Sequence, residues 1–355
     1  MSVSFDVVAA SGGYRIVIKP GMFPDVLKEH PHAAVLADEY FSADLKSSGV
    51  DPISINASET AKSLDAIAPV IEEMRRRGVN RQTQLVAVGG GVVQDIAAFI
   101  ASIYMRGLTW FYVPTTLLSM VDSCIGGKSS INVGPYKNLV GTFHPPKTVF
   151  IDPALAGSLS SEQRVSGLVE AAKICFCRGH EDFVNYLARD PGPGMPVSTT
   201  EQVIVGSLMA KKWFIEVDEF DKAERLSLNF GHTFGHAMEG ASHFRISHGV
   251  AVGLGIMCAL EFERSAAPLV GNLARHLKGL LAQVPNLREE LDALSVQEVM
   301  ERFESDKKHQ LENYTLILVS GEGEVGLQRL KKSEAVRDRI RSAIYTTVQT
   351  VVNEV

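Results

Sequence analysis

Cysteine is scarce in this chain of 355 residues, which contains only Cys124, Cys175, Cys177 and Cys258. Four cysteines are too few for a disulfide framework in a chain of this length, and Cys175 and Cys177 lack the second cysteine pair that a structural zinc site needs. We therefore expect reduced, mostly buried thiols.

A long hydrophobic run is also missing. The most apolar stretch, 250–260, is shorter than the roughly 18 residues that predict a membrane span, so it predicts a buried helix. The first ten residues contain no basic region followed by an apolar one, so we expect no secretory signal. We expect no membrane partner and a cytoplasmic location.

Positive charge is not in excess. Lys and Arg number 35 against 41 Asp and Glu, a net charge of −6. This argues against a general nucleic-acid surface, so any basic site must be local. With 45% apolar and 21% charged residues, the chain has the composition of a globular protein. At about 150 residues per domain, its length suggests two or three domains.

The first part of the chain predicts an α/β domain. Between Tyr14 and Asp152, short runs rich in Val, Ile and aromatic residues alternate with helical stretches, which is typical of a mostly parallel, Rossmann-like sheet. One helical pattern covers 60–77 and ends before Gly78. The candidate strands are 14–18, 33–37, 85–88, 109–113 and 148–151. We assign 1–157 to this domain.

The second part predicts a mainly helical domain. Beyond Leu159 the strand signals nearly vanish, and a Pro/Gly loop at 190–196 interrupts long helical patterns. An exception is 314–328, where two extended runs flank a Gly-rich turn and predict a hairpin. We assign 158–355 to this second domain.

Three segments carry the candidate chemistry. In 87–95 (AVGGGVVQD) three glycines lie between a strand and a helix, where backbone N–H groups and the helix dipole favour binding of a phosphate. A glycine turn between a strand and a helix often has no binding role, however. The segment 113–146 shows neither helix nor strand periodicity and combines Gly-Gly-Lys with Lys-Asn, which favours an anion site on a long functional loop.

The third segment, 225–249, contains four histidines: His232, His236, His243 and His248. This density favours metal or acid–base chemistry over satisfied core histidines. Because His232 and His236 are four residues apart, they share a face of a helix, so geometry alone favours them as the ligand pair.

Five motifs occur in order along the chain: GGGVVQD, VPTTLLSMVDSCIGGK, KNLVGTFHPP, GLVEAAK, and LNFGHTFGHA followed by HG. Together they resemble the 3-dehydroquinate synthases, within the wider sugar phosphate cyclases. The resemblance covers about 59–250. It implies an N-terminal α/β NAD-binding domain, a C-terminal helical domain that binds metal and substrate, and a homodimer. The cofactors implied are NAD and a divalent metal, commonly zinc, with cobalt as an alternative.

The resemblance also implies the sites. The metal ligands correspond to Glu170, His232 and His248, which replaces the pair favoured by geometry and moves His236 to the substrate. Catalytic positions correspond to Lys128, Lys173, Arg225, Asn229 and His236. Matching NAD positions are Asp38, Glu59, Lys62, Gly89, Gly90, Gly91, Asp95, Thr115, Thr116, Asp122 and Lys137. Matching substrate positions are Arg106, Lys128, Asn138, Lys211, Arg225, Asn229, His236 and one of Lys307 and Lys308.

The implied substrate, 3-deoxy-D-arabino-heptulosonate 7-phosphate, has a carboxylate and a phosphate, so it requires several cationic side chains. Arg225 corresponds to the carboxylate contact, and Arg106 to a residue that reaches the phosphate in the neighbouring subunit. The implied reaction combines transient oxidation, phosphate elimination, reduction and an intramolecular aldol step, and yields 3-dehydroquinate and phosphate, as in the shikimate pathway.

Three departures from the usual pattern indicate a divergent branch. Gln94 replaces a glycine, the segment before Glu59 lacks Pro-Asp-Gly, and ICFC after Lys173 is unusual. The alternatives are synthases of aminodehydroquinate, 2-deoxy-scyllo-inosose or 2-epi-5-epi-valiolone, a metal-dependent glycerol or alcohol dehydrogenase, and a regulatory protein without activity. Arg225 with Asn229 argues against the second and third synthases but not against the first.

Overall fold

The computed structural model describes residues 2–134 and 136–354. None of the helices in these ranges combines the length and apolarity that a bilayer crossing needs. The helices are α1 (Phe23–Glu29), α2 (Ser42–Ser47), α3 (Leu64–Arg76), α4 (Gly91–Ile103), α5 (Ser161–Arg178), α6 (His180–Leu187), α7 (Val197–Val217), α8 (His232–Ala241), α9 (His248–Glu263), α10 (Pro268–Leu281), α11 (Leu287–Asp292), α12 (Val296–Glu304) and α13 (Glu334–Glu354). The strands are β1 (Val3–Val7), β2 (Tyr14–Ile18), β3 (Ala34–Asp38), β4 (Ile53–Ile55), β5 (Leu85–Gly89), β6 (Trp110–Pro114), β7 (Ile131–Val133), β8 (Tyr136–Val140), β9 (Thr148–Ile151), β10 (Asn313–Val319) and β11 (Val325–Lys331).

The chain divides into two compact units. The first comprises residues up to Leu159 and Val197–Glu219, and the second comprises Ser160–Pro196 and the chain from Phe220 onward. The sequence predicted a single boundary between 157 and 158 and did not anticipate the return of α7 to the first unit. α7 is held there because Ser207 Oγ donates to the carbonyl of Val121 at 2.9 Å.

A seven-stranded sheet forms the centre of the first unit, in the order β1-β2-β9-β6-β5-β3-β4. β1 is antiparallel to β2, and the other neighbouring strands are parallel. All five residues of β5 are buried, as expected for a central parallel strand covered on both faces. The predicted α/β fold with a mostly parallel sheet is confirmed.

The strand order creates a switch point at the carboxyl edge of this sheet. The chain passes from β3 outward to β4 and then returns to the other side of β3 to form β5. Ala37 pairs with Val88, so Asp38 and Gly89 follow at the same edge. Open α/β sheets bind ligands in the crevice at such a point.

Helices dominate the second unit, as the sequence predicted. α5 begins with a capping box in which Ser160 and Gln163 satisfy each other's backbone N–H groups. Nearly every residue of α9 is buried, which explains its apolar sequence without a polar face. The predicted hairpin is present as β10 and β11, which pair antiparallel from Asn313 with Lys331 to Val319 with Val325.

The segment 113–146, predicted to lack regular structure, contains a short antiparallel pair, β7 and β8. The prediction failed here because the ladder is short and irregular between Ile131 and Val133, and because β8 is largely exposed and shows no apolar alternation.

Candidate functional site

The glycine turn at the carboxyl end of β5 leads directly into α4. A Cβ atom on Gly90 would lie 2.9 Å from Cγ2 of Thr116, so a side chain does not fit at this position. Tyr112 Oη donates to the carbonyls of Gly89 and Gly90 at 3.0 and 3.3 Å. Among the described residues, no side chain caps the N-terminus of α4 at Gly90, so its first N–H groups remain available to an anion.

Beside this turn, two predicted cofactor residues form a buried ion pair. Lys62 Nζ lies 3.0 Å from Asp95 Oδ2 and 3.5 Å from Glu59 Oε1. Ser130 donates to Asp95 through its backbone N–H at 3.1 Å and its hydroxyl at 3.0 Å. Burial raises the pKa of Asp95, although Lys62 and Ser130 oppose this shift.

The predicted loop residue Asn138 joins the same network. Ser130 Oγ lies 2.9 Å from Asn138 Oδ1, and the Asn138 N–H donates to Asn132 Oδ1 at 2.8 Å. Asn132 Nδ2 donates to Glu59 Oε1 at 2.8 Å. The structure therefore brings Glu59, Lys62, Asp95 and Asn138 together through two residues that the sequence analysis missed.

A second group in the first unit lies at and beyond the end of β6. Thr116 Oγ1 and Ser119 Oγ are 2.6 Å apart, and Thr115 is buried. Asp122 Oδ1 lies 2.9 Å from Lys211 Nζ, which also donates to the Asp122 carbonyl at 2.5 Å. The predicted cofactor residue Asp122 and the predicted substrate residue Lys211 are thus direct partners.

The other predicted residues of the first unit are more dispersed. Asp38 caps the short turn that follows β3 by accepting from the Tyr40 N–H at 3.0 Å. Lys128 Nζ lies 5.9 Å from the ring centre of Phe143. Lys137 and Arg106 are exposed.

In the second unit, the structure brings the predicted metal ligands together. Glu170 Oε1 lies 3.9 Å from His232 Nε2 and 3.8 Å from His248 Nε2. Within the described part of the chain, this buried oxygen has no hydrogen-bond partner, while Oε2 forms an ion pair with Lys173. A buried carboxylate oxygen without a donor is costly unless a cation neutralises it, so the donor set fits a divalent metal.

The two histidines near Glu170 are held by their other ring nitrogen. His232 Nδ1 lies 3.2 Å from the Phe230 carbonyl, and His248 Nδ1 lies 3.2 Å from Glu239 Oε2. A proton on each Nδ1 leaves each Nε2 as an acceptor. His236 lies within the same cluster of three histidines but makes no such hydrogen bond to any residue that the structure describes.

Glycines allow the three helices that carry these ligands to approach closely. A Cβ atom on Gly249 would lie 2.5 Å from Cα of Ser166 in α5, one turn before Glu170. A Cβ atom on Gly255 would lie 2.0 Å from the carbonyl of Gly231, just before α8. These contacts explain why His248 and His232 converge on Glu170.

Burial and charge set the protonation of the histidines. Burial, with Lys173 and the neighbouring histidines, lowers the pKa of His232 well below its ordinary value. Burial also lowers the pKa of His236, to about 4. Burial lowers the pKa of His248 as well, but Glu239 and Glu170 outweigh that effect and raise it overall.

Cationic and amide side chains lie near the histidines. Lys308 Nζ donates to Asn229 Oδ1 at 3.2 Å, whereas Lys307 is exposed. Burial lowers the pKa of Lys308, and the charges of Lys173 and Lys307 add to this effect. Arg225 is buried, with Nε 2.9 Å from Asp221 Oδ1. This combination suits a ligand with negative charges.

Sequence reasoning missed four residues that support these clusters: Ser130, Asn132, Asp221 and Glu239. Asp221 precedes Arg225 by four residues, a spacing that can indicate an ion pair. Glu239 follows His232 by seven residues and therefore lies on the same helical face. Ser130 and Asn132 gave no signal, because the acidic residues that they contact, Asp95 and Glu59, are distant along the chain.

Comparison with known proteins gives two consecutive family matches. Residues 52–166 match the family described as 3-dehydroquinate synthase N-terminal, and residues 167–309 match 3-dehydroquinate synthase C-terminal. The 3-dehydroquinate synthase of Nitrobacter hamburgensis is 34% identical over 364 aligned positions, which cover 95% of this chain and 94% of that protein.

Two solved structures have the same fold. A 2-deoxy-scyllo-inosose synthase complexed with carbaglucose-6-phosphate, NAD+ and Co2+ has a TM-score of 0.81 at 23% identity, with 97% of this chain and 99% of that chain covered. A 2-epi-5-epi-valiolone synthase from Streptomyces hygroscopicus with NAD+ and Zn2+ bound has a TM-score of 0.78 at 22% identity, with 95% and 97% covered.

The family matches meet at 166/167 and together span 52–309, which includes Glu59, Asp95, Glu170, His232 and His248. The identity to a 3-dehydroquinate synthase extends over nearly the whole length of both chains. On these grounds the chain belongs to the 3-dehydroquinate synthase family.

Proposed function

We propose that this enzyme converts 3-deoxy-D-arabino-heptulosonate 7-phosphate to 3-dehydroquinate and phosphate, with NAD and a divalent metal as cofactors. The observation that carries the proposal is the convergence of His232 Nε2 and His248 Nε2 on the buried Oε1 of Glu170, at 3.9 and 3.8 Å. In the same unit, Arg225, Lys173 and Lys308 supply the positive charge that a substrate with a carboxylate and a phosphate requires.

Glu170, His232 and His248 would hold the metal. Three protein ligands leave coordination positions open to substrate, as in catalytic zinc sites. The low pKa of His232 keeps its ring neutral at pH 7, as a ligand must be. Zinc is the expected metal and cobalt the alternative, since related cyclase structures contain Zn2+ or Co2+.

NAD would bind at the carboxyl edge of the parallel sheet. The glycine turn Gly89–Gly91 and the uncapped start of α4 would receive the pyrophosphate. Asp38, across the switch point from Gly89, would contact a ribose hydroxyl through its carboxylate. The remaining cofactor residues would be Glu59, Lys62, Asp95, Thr115, Thr116, Asp122 and Lys137.

The substrate would be held mainly by cations and amides. Arg225 would take the carboxylate through its guanidinium, which Asp221 orients. Asn229 and the partly buried Lys308 would contact the phosphate, whereas the exposed Lys307 is not needed. The remaining proposed substrate-binding residues are Arg106, Lys128, Asn138, Lys211 and His236.

The cofactors would supply hydride transfer and Lewis-acid chemistry when bound, and the residues of the chain would supply position and charge. Arg225, Lys173 and Lys308 fix the two anionic ends and thereby orient the carbon that is oxidised. We expect His236, which makes no ring hydrogen bond to a described residue, to contact the phosphate while it leaves.

We also propose a cytoplasmic homodimer. Met105, Arg106 and Gly107 have φ values of 47°, 70° and 122°, and this strained turn presents Arg106 at the surface. Strain at an exposed arginine is consistent with a functional contact to a second copy. All four cysteines are free thiols, in keeping with a reducing compartment. Light scattering on a sizing column would test the dimer.

The activity is tested with purified, zinc-loaded protein, NAD and 3-deoxy-D-arabino-heptulosonate 7-phosphate. We expect phosphate release, formation of 3-dehydroquinate and no lasting NADH absorbance. Lasting NADH would instead indicate a dehydrogenase. Turnover of the amino analogue without turnover of this substrate would indicate an aminodehydroquinate synthase.

A further inference from the structure

We propose that Glu239 is a positioning residue that orients His248 toward the metal, an inference that rests on the proposed function. Glu239 Oε2 lies 3.2 Å from His248 Nδ1. An ionised carboxylate can only accept, so when the ring is neutral, as a metal ligand must be, its proton lies on Nδ1. The opposite nitrogen, Nε2, is then an acceptor that faces Glu170.

The position of Glu239 in α8 does not by itself favour an acidic residue. It lies in the last turn of α8, where a negative charge is unfavourable to the helix dipole. The end of α8 is closed through the backbone carbonyl of Glu239, which accepts from Ser242 Oγ and the Phe244 N–H at 2.9 Å each. These bonds do not need the carboxylate, whereas the bond to His248 does.

The two histidine ligands differ in how they are held. His232 Nδ1 faces the backbone carbonyl of Phe230, which no substitution removes. His248 depends on the side chain of Glu239 and is the more exposed of the two, with 39% of its side chain accessible against 15% for His232. The orientation of His248 is therefore the part of the metal site that a single substitution can loosen.

The test is the zinc affinity of the folded protein, measured by competition with a chromophoric chelator. Glu239→Gln keeps the length and an oxygen acceptor, whereas Glu239→Asp keeps the charge but is too short to reach His248. We expect Glu239→Leu and Glu239→Asp to raise the zinc dissociation constant about 10- to 100-fold, and Glu239→Gln to change it by less than about threefold. Glu261→Leu, at the far end of α9, is the matched control and should bind zinc like the original protein.

The order of zinc affinities among the Glu239 variants decides whether the inference holds. If Glu239 acted only through its charge, Glu239→Asp would bind zinc at least as tightly as Glu239→Gln. That result, or an unchanged affinity of Glu239→Leu, overturns the inference. Melting temperatures of the metal-free variants show whether each is folded. Failure of the original protein to bind zinc would instead count against the proposed function.

Discussion

Gln94 and Ser123 are joined by two hydrogen bonds. Gln94 Nε2 donates to the Ser123 carbonyl at 2.6 Å, and Ser123 Oγ donates back to Gln94 Oε1 at 2.7 Å. Gln94 is buried in the first turn of α4, and Ser123 ends the short π-helix Ser119–Ser123, which contains Asp122. The residue that departs from the family pattern thus connects the start of α4 to the segment that carries Asp122 and its partner Lys211.

Replacing Gln94 by Met should weaken both stability and NAD binding. The substitution removes both bonds and leaves the Ser123 carbonyl without this donor, so we expect the free energy of unfolding in urea to fall by about 2 kcal/mol. We also expect the NAD dissociation constant to rise several-fold, because Asp122 is less firmly held. Ser123→Ala is the control: it keeps the bond to the carbonyl and should have the smaller effect. Equal stability and equal NAD affinity in Gln94→Met and the original protein would contradict this role.

Lys62→Met should destabilise the first unit in a pH-dependent way. Lys62 and Asp95 have 9% and 18% of their side chains exposed, and removal of one partner from such a pair costs roughly 3 kcal/mol. Burial already raises the pKa of Asp95, and loss of Lys62 raises it further. The native state then holds this proton more tightly than the unfolded chain, so the free energy of unfolding falls as pH rises from the ordinary value of 3.8 through the raised pKa.

We therefore expect the difference between Lys62→Met and the original protein, measured by urea unfolding, to be larger at pH 8 than at pH 5. The double variant Lys62→Met/Asp95→Asn removes the unpaired charge and should recover much of the loss at pH 8. A loss that is the same at both pH values would show that Asp95 is not the group responsible.

Much of this architecture could be predicted from the sequence, because buried strands and helices produce regular patterns of apolar residues. The fully buried β5 and the turn Gly89–Gly91 are both visible in consecutive residues. The pairing of Lys62 with Asp95 and Ser130 is not visible, because it joins residues 33 and 35 positions from Asp95 that share no periodic pattern. Helical spacing selects His232 with His236, yet it cannot show that Gly249 lets α9 approach α5 and bring His248 to Glu170. Tertiary approach, not local spacing, determines which histidines meet a carboxylate.

The four thiols should be unreactive in the native protein. Burial raises the pKa of Cys124, Cys175, Cys177 and Cys258 to about 12. Reaction with thiol reagents requires the thiolate, which is rare four pH units below the pKa. At pH 8 we expect almost no reaction with 5,5′-dithiobis(2-nitrobenzoic acid) under native conditions and four thiols per chain in guanidinium. Rapid native labelling of one thiol, located by mass spectrometry, would refute this for that residue.

Lys307 and Lys308 form a natural matched pair for testing the phosphate contact. Lys308 is partly buried and donates to Asn229 Oδ1 at 3.2 Å, whereas its neighbour Lys307 is exposed. A charge-assisted hydrogen bond to an anion contributes about 2–3 kcal/mol, so Lys308→Met should lower kcat/KM for the phosphorylated substrate by about 30- to 150-fold. Lys307→Met removes the same charge one position earlier and should change kcat/KM less than about twofold, because an exposed charge is screened by solvent. Both variants should bind NAD and zinc like the original protein. If the two substitutions lowered kcat/KM equally, the effect would come from the general positive potential of this segment. That result would contradict the proposed contact between Lys308 and the phosphate.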